Sequence, residues 1–230
     1  MTLNQIIYDL RGIISQQHLA DDTRLDDRLL KEWVHTTRAV WIRRESSKGG
    51  WQIDRQITQD VHDTLEVSDR SKVSNLVTGG SILRSSTDIP KTIELKNKSG
   101  IIEVGPVEKI ALPFSFVPLH RARTFASGRF NGSAICAFLY GSRIYLWANM
   151  TNESFYKYIR YIVVNGIFED PTEAEQFTHV DNTPCYSDDD EYPMNSWMWK
   201  FAREELLQAN FELLTKAPED RDNDAQGQER

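Results

Sequence analysis

The sequence predicts an α+β protein in which an N-terminal helical hairpin and a C-terminal helix flank a mostly antiparallel β domain. Apolar residues recur at helical spacing through about the first fifty residues and again beyond residue 193. Between Trp51 and Ile167 the pattern changes to short β-favouring runs separated by turn residues, with little helix to connect parallel strands. The expected divisions are a helical part over 1–50, a β domain over 51–180, an acidic loop over 181–193, a C-terminal helix over 194–216 that packs with the helical part, and a flexible tail over 217–230.

The two N-terminal helices are predicted from their apolar stripes and their first residues. Thr2 can cap a first helix. The apolar residues of that helix follow the i, i+3/i+4, i+7 pattern and are Leu3, Ile6, Ile7, Leu10 and Ile13 or Ile14. A second helix is expected to begin at Asp26 and Asp27, because carboxylates are favourable at the positive end of a helix dipole. It is expected to end at about Glu45, before the segment SSKGG.

A β-hairpin is predicted where the runs AICAFLY and RIYLWAN are joined by Gly141 and Ser142, a pair suited to a tight turn. The other β-favouring runs are DVHDTLEV, GSILRSS, TIELKN, GIIEVG and YIRYIVVNGIF. PTEAEQF is expected to form one helical turn. The segment from Met194 to Lys216 has an apolar face and no Gly or Pro, which predicts the C-terminal helix. The polar tail APEDRDNDAQGQER is expected to be disordered in the free protein.

Composition and charge exclude some classes of function. The 230 residues include 34 Asp and Glu against 27 Lys and Arg, a net charge of −7, which argues against a general nucleic-acid or anionic-membrane binder. The first residues lack a signal peptide pattern, and no apolar run approaches the ~18 residues that a membrane span needs. With only two cysteines, we expect a reducing compartment.

The acidic stretch PCYSDDDEYP, from Pro184 to Pro193, raises the question of a metal site. Side chains of the consecutive residues Asp188, Asp189 and Asp190 diverge on an extended chain, whereas Mg²⁺ and Ca²⁺ need converging oxygen ligands. His179, Asp181 and Cys185 lack a second Cys or His at the spacing of a zinc site. We therefore expect no metal and no cofactor, and interpret the stretch as a solvated approach to the C-terminal helix.

One enzymatic alternative is a metal-dependent nuclease that uses Asp88, Glu94 and Lys96 in TDIPKTIELKNK. In such a site two carboxylates hold the metal and the lysine polarises water. Glu-x-Lys is also common on an amphipathic strand, because alternate side chains share the solvent face. The histidines form no ligand pair in sequence, and neither a Gly-x-Ser-x-Gly elbow nor a phosphate-binding loop is present. The favoured interpretation is that the protein has no catalytic residues.

Basic and aromatic residues mark candidate contacts with other proteins. Arg38, Arg43, Arg44 and Lys48 cluster toward the end of the second helix, and His120, Arg121, Arg123 and Arg129 cluster in PLHRARTFASGR. Either cluster could contact phosphate. The favoured interpretations are that the first complements the negative end of the helix dipole and that the second meets another protein. Trp197 and Trp199 are two residues apart, so on a helix they face different sides, and we expect one to pack inward and the other to meet a partner. The predicted assembly contacts are Arg43, Arg44, Arg121, Arg123 and Trp199.

A family resemblance is carried by IPKTIELKNKSGIIEVGPVEKIALPFSFVPLHRA and the following GRFNGSAICAFLYGSRIYLWA. The opening MTLNQIIYDLRGIIS and its helix DDTRLDDRLLKEWVHTTRAVWIRRE fit the same group. Over most of residues 1–215 the chain resembles virion structural proteins of crAss-like phages. Those proteins are ring or adaptor subunits of the head-to-tail connector, similar to the tubular tail adaptors of short-tailed phages.

The resemblance implies a helical part plus a β domain, several copies around the DNA channel, and no catalysis. It implies a homo-oligomeric ring in the virion, at the head-tail interface, with the portal and other connector or tail proteins as partners. DNA would pass nearby without sequence-specific binding, no membrane would be involved, and synthesis would take place in the host bacterial cytoplasm. A ring of identical chains needs different surface patches of each copy to meet.

Overall fold

The computed structural model describes residues 1–17, 26–48, 52–69, 73, 81–96, 99–107, 113–125, 135–148 and 159–209. The chain forms two compact units, a helical unit of Met1–Trp41 with Asp188–Arg230 and a sheet unit of Ile42–Ser187. The predicted tail over 217–230, and the end of the predicted C-terminal helix from residue 210 onward, lie outside the described residues.

The elements follow the order that the α+β prediction requires: two helices come first, the strands follow with one short helix among them, and a helix comes last. The helices are α1 (Leu3–Gln17), α2 (Asp27–Ser47), α3 (Leu119–Phe125) and α4 (Ser196–Ala209). The strands are β1 (Gln59–Asp69), β2 (Ser81–Ser85), β3 (Ile101–Pro106), β4 (Ser115–Phe116), β5 (Ile135–Tyr140), β6 (Arg143–Ala148) and β7 (Tyr161–Gly166). Short 3₁₀ helices cover Arg55–Ile57 and Pro171–Gln176, the latter on the predicted turn PTEAEQF.

Both predicted N-terminal helices are confirmed, and each begins at a cap. The Thr2 hydroxyl accepts a hydrogen bond from the Gln5 N–H at 3.2 Å, and the Gln5 side chain accepts one from the Thr2 N–H at 3.0 Å. This reciprocal pair is a capping box. Asp26 accepts from the Arg28 N–H at 3.2 Å and so caps α2.

The helical unit has an apolar core to which α1, α2 and α4 each contribute one face. The buried apolar residues are Leu3, Ile6, Ile7, Leu10 and Ile14 of α1, Leu30, Val34 and Trp41 of α2, and Met198, Trp199, Ala202 and Leu206 of α4. The three- and four-residue spacings are those of helices that bury one stripe.

The sheet unit contains a seven-stranded sheet in the order β3-β7-β1-β2-β6-β5-β4. All neighbours are antiparallel except β4 and β5, which are parallel. Strand β1 is long enough to pair twice: Gln59–Thr64 pair with β7, and Leu65–Asp69 pair with β2. It therefore joins the two halves of the sheet. One core cluster of this unit includes Val73, Ile82, Ala122, Cys136, Phe138, Tyr145 and Trp147.

The predicted β5–β6 hairpin is confirmed. Tyr140 pairs with Arg143, and the two-residue turn between them contains Gly141 at φ 63°. A positive φ carries less strain for glycine than for a residue with a Cβ, so Gly141 favours this turn and with it the register of the hairpin.

The two outer strands of the sheet, β3 and β4, approach each other through the residues that flank β4. The Phe114 N–H donates to the Val104 carbonyl of β3 at 2.8 Å, and the Val117 N–H, just after β4, donates to the Ala137 carbonyl of β5 at 2.9 Å. The segment from Phe114 to Val117 therefore bonds to β3, at one end of the sheet order, and to β5, the neighbour of β4 at the other end.

Two local predictions were wrong. The described residues 92–96 of TIELKN form no strand: Thr92 makes an isolated bridge to Phe168, and the Ile93 N–H donates to the Ile167 carbonyl at 2.9 Å. The segment packs closely on Gly100, where an added Cβ would lie 2.4 Å from the Ile93 carbonyl oxygen. The basic segment LHRARTF was not predicted as a helix, yet it forms α3, whose first carbonyl acceptor is Pro118.

Candidate assembly surfaces

The acidic stretch is attached to the helical unit by bonds that separate its carboxylates. Asp188 forms an ion pair with Lys31 of α2, and Asp189 accepts a hydrogen bond from the Asn4 amide of α1 at 2.9 Å. Glu191 makes a backbone bridge with Thr2. Neighbouring acidic side chains thus have different partners and do not converge. Among the residues that the structure describes, no group of three or more His, Cys, Asp or Glu is placed to hold a metal ion.

Buried polar contacts hold the end of this stretch against α2. His35 Nδ1 lies 2.8 Å from the Tyr192 hydroxyl, and Arg38 Nε donates to the Pro193 carbonyl at 2.7 Å. The Arg38 guanidinium carbon also lies 5.8 Å from the centroid of the Tyr192 ring, within the range of a cation–π contact. Arg38 is fully buried, so it does not belong to the exposed basic stretch with which the sequence grouped it.

The basic end of α2 is exposed but already bonded within the sheet unit. Arg43 is 57% exposed, and its guanidinium lies 3.7 Å from the Glu169 carboxylate. Glu169 also binds Lys91 at 2.8 Å, and this hydrogen bond raises the pKa of Lys91. Arg44 is exposed as well. An exposed pair at such a distance contributes little stability, so Arg43 remains available to a partner.

The second predicted basic site lies on α3. The Arg121 side chain is exposed. The Arg121 backbone N–H donates to the Pro118 carbonyl at 2.9 Å in the first turn of the helix. The side chain of Arg123 lies outside the described part of the chain. The roles of Arg121 and Arg123 as assembly contacts therefore stay predictions.

On the C-terminal helix, the tryptophan that is exposed to a partner is Trp197 and not the predicted Trp199. Trp199, predicted as the contact residue, is only 6% exposed, whereas Trp197 is 51% exposed. Phe201, one turn after Trp197, is 48% exposed, and its ring stacks on Trp41 with centroids 6.0 Å apart and planes at 24°. We call Trp197 and Phe201 the α4 aromatic face. The sequence showed that the two tryptophans face different sides but gave no means of telling which side is covered.

The nuclease alternative assumed that Glu94 and Lys96 lie on one strand, and this assumption is wrong. Asp88 accepts a hydrogen bond from Arg143 at 2.8 Å, and this bond is the main reason that the pKa of Asp88 is lowered. Glu94 and Lys96 do not lie on a strand, so the alternation that would place them together is missing. Lys96 Nζ instead lies 3.5 Å from the Ser47 carbonyl.

One constellation was missed because it joins residues far apart in sequence. His62 of β1 and His179 form a close pair, with His62 Nε2 and His179 Nδ1 separated by 3.3 Å and the rings edge-to-face at 4.4 Å. The sequence prediction concerned only metal-ligand spacing, so it did not address this contact. Cys185 lies near this pair, and burial is the main cause that raises the pKa of its thiol.

The comparisons with known proteins agree with the resemblance carried by the sequence. The family model described as phage tail ring protein 2, a crAss ring family, matches residues 5–229. No curated protein sequence matches the chain. Within the described residues, no helix has a stretch long and apolar enough to cross a bilayer. Since the family match spans nearly the whole chain, the protein belongs to the phage tail ring protein 2 family of crAss-like phages and is a structural component of the virion tail.

Proposed function

We propose that the protein is a subunit of a head-to-tail connector ring, which joins the portal or a neighbouring ring to tail proteins around the DNA channel. The observation that carries the proposal is the match of residues 5–229 to a phage tail ring family. The subunit acts by binding and shape, without catalysis or cofactor. It is made in the host bacterial cytoplasm, occupies the head-tail interface of the virion, and does not engage a membrane.

The α4 aromatic face supports a role in contacts between subunits. Aromatic side chains are enriched in the buried centres of protein interfaces. A Trp and a Phe bury about 150–250 Å² each, so two half-exposed rings leave about 150–250 Å² to cover. At ~25 cal/mol per Å², covering them stabilises a contact by at most about 4–6 kcal/mol. The stack of Phe201 on Trp41 fixes one ring in advance and so reduces the entropy that binding would cost.

The acidic balance of the chain supports passage of DNA without adhesion. The net charge is −7, and the acidic stretch exposes Asp190 and Glu191 at the surface. Carboxylates that face a channel repel phosphates, whereas a basic lining binds DNA by releasing counterions. A virion map in which basic side chains line the channel and these carboxylates point away from it would overturn this orientation.

The ring itself is tested by imaging the purified protein with the portal and neighbouring connector proteins of the same phage. We expect several copies to add around one axis, seen by negative-stain microscopy and by the mass of the complex. Addition of a single copy would show a monomeric adaptor, and no addition would reject the connector role.

The contribution of the α4 aromatic face is tested with the double variant Trp197→Ser, Phe201→Ser. We expect its incorporation into the ring to fall at least about tenfold with an unchanged circular dichroism spectrum, since loss of ~1.4 kcal/mol already gives that factor. The matched control is Tyr8→Ser, because Tyr8 is 79% exposed on α1. Normal incorporation of the double variant would remove this face from the interface.

The basic end of α2 is tested by charge reversal, with Arg43→Glu and Arg44→Glu combined. If these side chains meet an acidic partner surface, the reversed protein is excluded from the ring although its stability changes by less than about 1 kcal/mol. Arg28→Glu, at the exposed beginning of the same helix, is the control. Unchanged assembly of the reversed protein would reject the contact.

A further inference from the structure

A compact turn near the end of the sheet unit is held against β1 by two histidines. The turn runs from Phe177 to Cys185 and is closed by the bridge between Thr178 and Pro184 and by the Cys185 N–H, which donates to the Phe177 carbonyl at 2.8 Å. At its tip, Asn182 has φ 65°. The turn is the last part of the sheet unit before the chain continues into the helical unit at Asp188.

His179 extends from this turn to His62 of β1. The 3.3 Å between His62 Nε2 and His179 Nδ1 requires that one nitrogen carries a proton and the other is bare. His62 Nδ1, on the far side of its ring, is buried and has no hydrogen-bond partner in the part of the chain that the structure describes. Whichever histidine donates, this buried atom stays unsatisfied, either as an N–H without an acceptor or as a bare nitrogen without a donor. Either ring can therefore be the donor.

With either donor, the contact accepts one further proton and not two. The first enters at the ring nitrogen that faces away from the contact and leaves the bond between the rings intact. A second would put N–H groups on both facing nitrogens and positive charge on both rings, 4.4 Å apart. The bond would then be replaced by repulsion.

The surroundings of the pair both lower and raise the pKa of His62. Burial, followed by the charge of His179, lowers the pKa of His62, while the carboxylates of Asp60 and Asp181 oppose the shift. Both carboxylates are already bonded, Asp60 to the Asn165 amide at 2.7 Å and Asp181 to the Thr183 N–H at 3.0 Å. The same side of β1 borders an open cavity of about 640 Å³, which Arg55 and Glu103 also line.

We propose that the contact between His62 and His179 is a pH-sensitive latch, which holds the Phe177–Cys185 turn on β1 when at least one ring is neutral and releases the turn when both are charged. Because the folded pKa of His62 is lowered, the unfolded or released state binds more protons below the ordinary value of 6.5. The stability of the latch is complete above that pH and decreases as the pH falls below it. This inference is independent of the proposed connector role, because it concerns one chain.

Hydrogen exchange of the full chain tests the latch directly. After correction for intrinsic rates, we expect protection of the Phe177–Cys185 amides to fall between about pH 7.5 and pH 5, by up to about a factor of ten for each pH unit over which the released state binds one proton more. Amides of the β5–β6 hairpin serve as an internal reference and should keep their protection. Equal protection of the turn at both pH values would overturn the latch, and so would a parallel loss in the hairpin.

Variants separate the histidine pair from other titrating groups. In His179→Gln the pH dependence of the turn should disappear, whereas His120→Gln, exposed on α3, should retain it. If His179→Gln does not fold, the histidine ring resonances of the unaltered protein decide by their titration. The latch requires two separate apparent pKa values for the pair. A single titration of both rings at the ordinary value would reject it.

Discussion

The hydrogen bond between Tyr192 and His35 permits a sharp test of how the acidic stretch is held. Tyr192→Phe removes only the hydroxyl and keeps the ring that faces Arg38. The hydroxyl lies 2.8 Å from His35 Nδ1, and both residues are buried, with exposures of 1% and 9%. A buried polar atom that loses its partner costs about 1–3 kcal/mol. For a chain of this length, a loss of about 2 kcal/mol lowers the melting temperature by about 4–8 °C.

Urea unfolding, followed by the helical circular dichroism signal, measures this loss. Tyr8→Phe is the matched control, because the same hydroxyl is removed from a residue that is 79% exposed on α1. The control should change the free energy of unfolding by less than about 0.5 kcal/mol. If Tyr192→Phe is as mild as the control, the bond between Tyr192 and His35 does not hold the acidic stretch, and its other contacts, such as the bond from Arg38 to the Pro193 carbonyl, must do so.

Three glycine and cysteine positions give further tests. Gly12→Ala should stabilise the protein by about 0.5–1 kcal/mol, because Gly12 lies inside α1 with open space at its Cβ position. Gly141→Ala should destabilise it by about 1 kcal/mol at φ +63° despite equally open space, and equal melting temperatures of the two variants would contradict the backbone explanation. Burial raises the pKa of Cys136 to about 11, so a thiol reagent at about pH 8 should label this cysteine only after the protein unfolds. Mass spectrometry measures the labelling, and rapid labelling of Cys136 in the folded protein would refute its burial.

Local patterns predicted the helices and one hairpin because their causes are local. The stripe and cap of α1 lie within a few residues of each other, and Gly141 alone permits the turn between β5 and β6. The α3 helix was missed because LHRARTF is short and lacks an apolar stripe. TIELKN has the alternation of a strand and buries Ile93 and Leu95, but its described residues make only isolated bridges and no continuous ladder.

The candidate surfaces were predicted less completely because exposure and pairing depend on tertiary structure. The two-residue spacing of Trp197 and Trp199 shows opposite faces, while only the packed helical unit shows that Trp199 is the buried one. The contact between His62 and His179 joins positions separated by 117 residues, and no sequence pattern reports it. The adjacency of the acidic residues did predict that they would not converge.

The bond from Phe114 to Val104 has a consequence for how copies of the chain meet during assembly. A strand with a free edge can recruit the same strand of another copy, and such recruitment continues into aggregates rather than stopping at a fixed number. Here a segment adjoining β4 occupies part of the edge of β3, and β4 itself is only two residues long. Polymerisation through the backbone is thereby disfavoured. In the proposed ring, contacts between side chains, whose shape and charge can set a definite angle between neighbours, would then fix a closed number of subunits.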